Sequence, residues 1–188
     1  MINTNAGPVS RAEPPQYVGS WTMRDGTEVT IRPICPDDEP LMVKFHGTLS
    51  DRTVYMRYFT SLSLTRRTAH ERLVRICYPD FKHEIVLLAE RVGPETGAHV
   101  ILAVGRLNKL KTEGEAEIAV LVADEYQHKG LGTELLRRLI LAAKDLGVSR
   151  ILAEMLRENL VVQTIFKTLG FRLRLVCDPG SIQAVLDL

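Results

Sequence analysis

The sequence predicts an α/β protein in which a mixed β-sheet carries helices on both faces. Two observations lead to this fold class. Apolar runs typical of antiparallel strands, joined by short turns, stand in the first part of the chain, whereas from residue 115 onward strands and helices alternate as β-α-β-α-β. With 188 residues, of which 45% are hydrophobic, the chain is long enough for one domain with a full core.

The first half of the chain is assigned from local patterns. In "WTMRDGTEVTIRPI" an Asp-Gly turn between two extended runs indicates a β-hairpin. Asp37 can cap a helix after it, and "DRTVYMRYF" and "TRRTAHERLVRIC" predict a short helix and a longer one. Residues 1–19 are rich in Pro, Gly, Asn and Ser, which predicts a mobile arm before a single domain of residues 20–188.

The second half alternates between the two kinds of element. Helices are predicted over residues 130–146, with Gly147 as the stop, and over "NLVVQTIFKTL", which ends at Gly170. The predicted strands are "HEIVLLAERV", "AHVILAVGRL", "EAEIAVLV", "RILAEML", "FRLRLVCD" and "SIQAVLDL", the first two joined by a "GPETG" turn.

The composition argues against several classes of protein. A formal charge of +1 provides no basic surface for nucleic acid or an anionic membrane, and no apolar run approaches the roughly 20 residues of a membrane span. Three widely spaced cysteines without a CxxC pair, and histidines without metal spacing, argue against a disulfide framework or a metal site. We expect a cytoplasmic monomer or homodimer, with His46 hydrogen-bonded or at the surface and Arg66 and Arg67 on a solvated helix face.

The stretch "QHKGLG", residues 127–132, stands between a strand and a helix. Backbone N–H groups at such a junction form an anion site at the positive end of the helix dipole, and Gly130 and Gly132 allow close approach of a ligand. His128 and Lys129 can add positive charge. The two glycines alone favour a tight turn over a phosphate site. The spacing excludes a Walker A loop and a dinucleotide fingerprint, and the sequence contains neither GxSxG nor HExxH.

The same stretch, read as "VADEYQHKGLGTELL", resembles the acetyl-CoA loop of the GNAT superfamily of N-acetyltransferases. Gln127, Gly130 and Gly132 match its Gln/Arg-x-x-Gly-x-Gly/Ala pattern, and Val122 matches the valine that ends the preceding strand.

Two further stretches extend the resemblance. "ENLVVQTIFKTLGF" is similar to a second GNAT signature, with Asn159, Gly170 and Phe171 in the matching positions. The segment that begins "RDGTEVTIRPI" and ends "TVYMRYF" resembles more narrowly the GNAT domain of bacterial protein lysine acetyltransferases.

The resemblance implies a GNAT fold, a mixed and mostly antiparallel sheet with a splayed strand pair that holds acetyl-CoA. Backbone groups of Leu121 and Val122 would pair with the pantetheine amides, and amides of residues 127–133 would hold the pyrophosphate. Asn159 would flank the thiol, and Phe166 stands where many relatives carry a tyrosine acid. The implied cofactor-binding residues are Leu121, Val122, Gln127, His128, Lys129, Gly130, Leu131, Gly132, Thr133, Asn159 and Phe166.

Two glutamates are candidates for a general base, which is useful because an amine with a pKa of about 10.4 is almost fully protonated at pH 7. Glu117 shares a strand face with Ala119 and Leu121, and apolar surroundings favour proton uptake by a carboxylate. Its "AEI" also resembles the stretch with the catalytic glutamate in lysine acetyltransferases. Glu115 is the second candidate. With Glu113, the two form an acidic cluster that either attracts a cationic lysine or is a solvated hairpin end.

The sequence therefore predicts an enzyme that transfers an acetyl group from acetyl-CoA to a primary amine. The absence of a tyrosine at Phe166 favours a protein lysine as acceptor. Two alternatives stay open: a small-molecule amine acetyltransferase, and a non-catalytic module that binds CoA.

Overall fold

The computed structural model of the chain describes residues 15–93, 97–176 and 180–188. In these residues one eight-stranded sheet has the order β1-β2-β3-β4-β5-β6-β8-β7. The strands are β1 (Gly19–Thr22), β2 (Glu28–Pro33), β3 (Glu84–Val92), β4 (His99–Lys109), β5 (Glu115–Val122), β6 (Arg150–Leu156), β7 (Arg172–Leu175) and β8 (Ser181–Asp187). All neighbours pair antiparallel except β5 and β6, which are parallel.

Helices cover both faces of the sheet. They are α1 (Glu39–Gly47), α2 (Asp51–Tyr58), α3 (Leu64–Arg67), α4 (His70–Cys77), α5 (Leu131–Asp145) and α6 (Leu160–Thr168). Helices α5 and α6 pack on one face, here the α5 face, and α1, α2 and α4 pack on the other, here the α4 face. The predicted fold class, a mixed and mostly antiparallel sheet with helices on both faces, is confirmed.

The centre of the sheet is buried on both faces, which explains its nearly continuous apolar sequence. In β3, Leu87 and Ala89 face the α5 core, whereas Val86 and Leu88 face the α4 core. All four side chains are fully buried. The alternation of side chains along a strand thus divides one apolar run between two cores.

The parallel strands β5 and β6 separate after a short paired stretch. Residues 115–117 are in register with residues 150–152, and no further register pairs join the two strands within the described residues. β5 nevertheless continues to Val122 and β6 to Leu156. The sheet therefore opens into a wedge between them, and the predicted splayed strand pair is confirmed.

Two local expectations are wrong. Helix α1 begins after Asp38, not Asp37, because a single 3-10 turn precedes it and the Asp38 carboxylate accepts hydrogen bonds from Arg32 and from the Cys35 N–H. The longer helix predicted over residues 65–77 is two helices, because Ala69 has extended backbone angles (φ −58°, ψ 132°) between α3 and α4.

The β1–β2 hairpin forms as predicted, with Gly26 at φ 86° in its turn. Residues 1–14 of the expected arm lie outside the described residues, as does Cys177. Residues 15–19 pack onto the domain: Pro15–Tyr17 form a 3-10 turn, and the buried Tyr17 hydroxyl donates to Asp145 at 3.1 Å. Among the described helices, none has the length and hydropathy that a membrane crossing requires.

Candidate functional site

The loop between β5 and α5 presents backbone N–H groups without protein acceptors. After the 3-10 turn Asp124–Tyr126, His128 and Gly130 have left-handed backbone angles, with φ 63° and 89°. No N–H of residues 128–133 donates to another described residue, and the first bond of α5 runs from the Glu134 N–H to the Gly130 carbonyl at 3.1 Å. Unpaired amides at the positive end of a 15-residue helix suit a phosphate group, so this loop has the geometry of an anion site.

Gly130 and Gly132 serve this loop in different ways. Gly130 precedes α5 with a left-handed φ, and a Cβ there would lie 3.2 Å from Cη2 of Trp21 in β1. A Cβ at Gly132 would meet only Val122 and Val120, the nearer at 3.4 Å, which is ordinary van der Waals contact. The left-handed backbone at residue 130 therefore favours glycine. At residue 132 the backbone is helical, and glycine only leaves more space between the first turn of α5 and β5.

The side chains of the loop fasten it to the rest of the domain. Gln127 Nε2 donates to the Val122 carbonyl at 3.2 Å and to Thr53 Oγ1 of α2 at 3.0 Å. Asp124 accepts from the Ser50 N–H at 2.9 Å and from the hydroxyls of Ser50 and Thr53 at 2.6 and 2.8 Å. The matching glutamine of the motif thus positions the loop through its side chain.

The β1–β2 turn also reaches this loop, a contact that the sequence interpretation missed. The Arg24 N–H donates to the Lys129 carbonyl at 3.1 Å, and the Arg24 guanidinium lies beside Gly130. Lys129 Nζ pairs with Asp25 at 3.0 Å and lies 5.0 Å from the centre of the Tyr126 ring. Lys129 is thus engaged by a carboxylate, while Arg24, which forms no ion pair with a described residue, brings positive charge to the unpaired amides.

Backbone groups of β5 divide between β4 and the wedge. The Ala123 N–H donates to the Leu102 carbonyl of β4 at 2.9 Å, so by alternation the N–H and C=O of Leu121 also point to β4. Those of Val120 and Val122 point to the open side. Of the two residues expected to pair with pantetheine, Val122 presents its backbone to the wedge and Leu121 does not. The same alternation would have identified Val120.

Glu117 lies at the last position where β5 pairs with β6, opposite Asn108 of β4 and Leu152 of β6. Its half-buried side chain shares the α4 face with Leu121, as predicted. The surroundings are less apolar than expected, because the Arg57 guanidinium of α2 interacts electrostatically with Glu117. Glu117 thus stands at the apex of the wedge, beside a cation.

The other two acidic residues are placed differently. Glu115 Oε1 lies 3.4 Å from Nη1 of Arg150, whose Nε also binds Asp187 at 2.7 Å. Glu113 is exposed in the turn before β5. Glu115 is therefore held by a neighbouring guanidinium, and Glu117 is the better placed of the two candidate bases.

The residues of the second signature lie around α6. Asn159 caps this helix, its Oδ1 accepting from the Val162 N–H at 3.3 Å. Phe166 is 3% exposed and packs edge-on against Phe171, with ring centres 4.8 Å apart. Asn159 begins the helix at the end of β6, beside the wedge, whereas Phe166 belongs to the α5 core.

Comparison with known proteins gives a family for this architecture. The family model described as "Acetyltransferase (GNAT) domain" matches residues 28–172. The acetyltransferase Pat of Mycolicibacterium smegmatis is 30% identical over 149 residues, which are 79% of this chain and 42% of that protein. An acetyltransferase of Pseudomonas aeruginosa is 27% identical over 150 residues, 80% of this chain and 78% of that one. The chain thus spans less than half of the length of Pat.

Solved structures agree with the family model. The GNAT domain of S. lividans PAT superposes with a TM-score of 0.83 at 27% identity, covering 93% of this chain and 99% of that one. The fold is also that of PaiA N-acetyltransferase from Thermoplasma acidophilum, solved in complex with coenzyme A, with a TM-score of 0.67 at 16% identity over 86% and 100% of the two chains. The chain therefore belongs to the GNAT family of acetyltransferases, as its motifs predicted.

Proposed function

We propose that the chain acetylates the side-chain amine of a protein lysine, with Glu117 as the general base. The observation that carries this proposal is the position of Glu117. It lies where β5 leaves β6, on the strand whose far end leads into the loop of unpaired amides. A carboxylate at the apex of the wedge is well placed to receive a proton from an amine that approaches over the α4 face.

The donor, acetyl-CoA, supplies an activated acetyl thioester. In the proposed site its pyrophosphate binds the amides of residues 128–133, and Arg24 adds positive charge. The N–H and carbonyl of Val120 and the N–H of Val122 offer hydrogen bonds along the open edge of β5, and Asn159 flanks the wedge from the start of α6. Gln127 holds the loop, whereas Leu121 and Phe166 support the site from the two cores.

The chemistry requires a neutral amine. At pH 7 only roughly one lysine amine in 2,500 is neutral, given an ordinary pKa of about 10.4. Glu117 takes the amine proton as the C–N bond forms, and the C–S bond of the thioester breaks as the sulfur leaves with its electron pair. Phe166 has no hydroxyl that could protonate this sulfur, so position 166 provides no general acid for the departing thiolate.

Two features favour a lysine of a protein as the acceptor. The first is the likeness of residues 24–59 to the GNAT domain of bacterial protein lysine acetyltransferases. The second is Phe166 in the place of the tyrosine that many small-molecule acetyltransferases of the family carry. A small-molecule amine remains the alternative acceptor.

An acceptor screen tests the proposal. The protein is incubated with acetyl-CoA and a cell lysate, and new acetyl-lysines are mapped by mass spectrometry. Spermidine, aminoglycosides and free amino acids are offered under the same conditions, with release of CoA as the readout. We expect the highest kcat/KM for a protein or peptide lysine. A small amine with a kcat/KM far above every lysine substrate would refute the lysine assignment, and CoA binding without any transfer would indicate a non-catalytic module.

A further inference from the structure

A cavity of about 470 Å³ lies on the α4 face, between helix α4 and strand β4. Its lining residues are Ala69, Glu71, Arg72, Arg75, Ile76 and Arg106. Three arginines and one glutamate therefore border a space large enough for a small ligand or a side chain. Nothing in the proposed chemistry uses this cavity.

The cavity adjoins the proposed catalytic glutamate. Arg106 is opposite Ala119 in the β4–β5 register, two residues along β5 from Glu117. Arg72 and Arg57 both lie over the ring of Tyr58, at 4.9 and 5.2 Å from its centre. Burial lowers the pKa of Arg57, and the nearby charges of Arg106 and Arg72 add to the effect, while Tyr58 and Glu117 oppose it. One basic cluster thus extends from the cavity to Glu117.

A buried histidine and a buried arginine lie close to Arg72, behind the cavity. Arg67 of α3 is 4% exposed, so the predicted solvated position is wrong. His46 of α1 is 1% exposed and was expected to be hydrogen-bonded or at the surface. Both ring nitrogens of His46, Nε and Nη1 of Arg67 and Nε of Arg72 are enclosed and make no hydrogen bond to any described residue. Burial, with the charges of Arg72 and Arg67, lowers the pKa of His46 to about 4.

An unpaired buried cation is strongly unfavourable, and buried polar groups of native proteins nearly always have partners. Arg106 is neutralised by its ion pair with Glu84, but Arg67 and Arg72 form no ion pair with a carboxylate of the described residues. The cluster is therefore short of negative charge. Planar guanidinium groups match carboxylate and phosphate oxygens in geometry as well as in charge.

We propose that this arginine-lined cavity is an acceptor subsite that binds an oxyanion group, a carboxylate or a phosphate, carried by the acceptor near its reactive amine. The inference rests on the proposed function, because it places the amine at Glu117 while the anion lies against Arg72 and Arg75. The preferred acceptor is then a lysine with an acidic or phosphorylated neighbour, not a lysine in a neutral or basic sequence.

Paired peptides test the subsite. Both peptides of a pair contain one lysine. One peptide has aspartate or glutamate near that lysine, and the other has asparagine or glutamine in the same position. Because hydrogen bonds to charged groups contribute about 1.5–3 kcal/mol, the wild type should prefer the acidic peptide by roughly 10- to 100-fold in kcat/KM. Arg75→Gln should remove most of this preference. Arg66→Gln, which neutralises an exposed arginine of α3 that does not line the cavity, should retain it. Equal kcat/KM for acidic and neutral peptides in the wild type would overturn the proposal.

A second measurement does not depend on acetyl transfer. Thermal unfolding is followed in inorganic phosphate and in chloride at equal ionic strength. Phosphate should raise the Tm of the wild type and of Arg66→Gln, and should raise that of Arg67→Met and Arg75→Gln much less. In chloride, Arg67→Met should be as stable as the wild type or more so, because it removes an unpaired buried charge. The same phosphate response in all four proteins would argue against the subsite.

The two measurements separate this inference from the proposed function. Phosphate stabilisation that Arg75→Gln diminishes, with a preference for small amines that carry a carboxylate over spermidine and no peptide acetylated, would keep the subsite and refute the lysine acceptor. Acetylation of peptides without preference for acid, and a phosphate response that Arg75→Gln leaves unchanged, would refute the subsite and keep the lysine acceptor.

Discussion

Replacement of Gly130 by alanine tests whether the loop conformation creates the cofactor site. Gly130 has φ 89°, and a side chain in a left-handed conformation costs about 1–2 kcal/mol. The new Cβ would also lie 3.2 Å from Cη2 of Trp21. In a domain of this size 1 kcal/mol corresponds to a shift in Tm of about 2–4 °C, so we expect a Tm lower by about 2–8 °C.

The same substitution should weaken binding of acetyl-CoA. If the backbone relaxes to relieve the strain, the N–H groups of residues 130 and 131 turn away from their common direction. Loss of one hydrogen bond to a charged phosphate costs about 1.5–3 kcal/mol, or roughly tenfold or more in Kd. Calorimetry with acetyl-CoA and thermal unfolding of the same samples measure both effects.

Gly132→Ala is the matched control, because it adds the same methyl group two residues further on. Gly132 has helical angles, and its Cβ would be in ordinary contact with Val122, so both the Tm and the Kd should stay close to those of the wild type. A Gly130→Ala protein with wild-type Tm and wild-type affinity would refute the reasoning. Equal losses in both variants would indicate general disruption of α5 instead of a role for the left-handed residue.

Three further predictions follow from single contacts. Burial alone raises the pKa of Asp124, but hydrogen bonds from two hydroxyls and an N–H outweigh it and hold that pKa below its ordinary value of 3.8. Asp124→Asn should therefore lower the free energy of unfolding by about 1 kcal/mol above pH 5, and this difference should vanish as the pH falls through the pKa of the folded state. Urea unfolding at several pH values measures the difference. Phe166→Tyr should cost about 1–3 kcal/mol without raising kcat, since its hydroxyl would be buried in the α5 core; a faster enzyme would contradict the placement of Phe166. Glu115→Gln should change stability by less than about 1 kcal/mol and kcat by less than about twofold, because Glu115 forms a surface ion pair with Arg150; urea unfolding and CoA release check both.

Strand alternation and the glycine motif were sufficient to predict several structural features around the candidate site. Because side chains alternate along a strand, Glu117 and Leu121 were predicted to share one face of β5. The structure confirms this, since Leu121 belongs to the α4 core and Ala116 and Ile118 belong to the α5 core. Local turn chemistry predicted the β1–β2 hairpin, and the helix after Gly130 begins where the motif indicated. These features depend on neighbours in sequence, and local patterns describe them well.

Features that depend on distant contacts could not be read from the sequence. Arg24 reaches the loop because the β1–β2 turn packs against it, and Arg67 is buried where α3 packs against α1. An arginine next to another arginine on a short helix is usually solvated, and nothing nearby in the sequence distinguishes Arg67 from Arg66. The backbone direction of Leu121 needed the β4–β5 register, which the strand sequences alone do not fix.

The pH dependence of kcat for Glu117→Gln tests the central claim most directly. The variant keeps the shape of the side chain and loses the ability to accept a proton. At pH 7 we expect kcat to fall by roughly 10²–10⁴-fold while the Kd for acetyl-CoA is unchanged, because a positioned base contributes that much and Glu117 lies away from the loop. Since the neutral fraction of a lysine amine rises about tenfold per pH unit below its pKa, kcat of the variant should approach that of the wild type as the pH rises to 9 and above. A Glu117→Gln enzyme with wild-type turnover at pH 7 would contradict the role of Glu117 as the base.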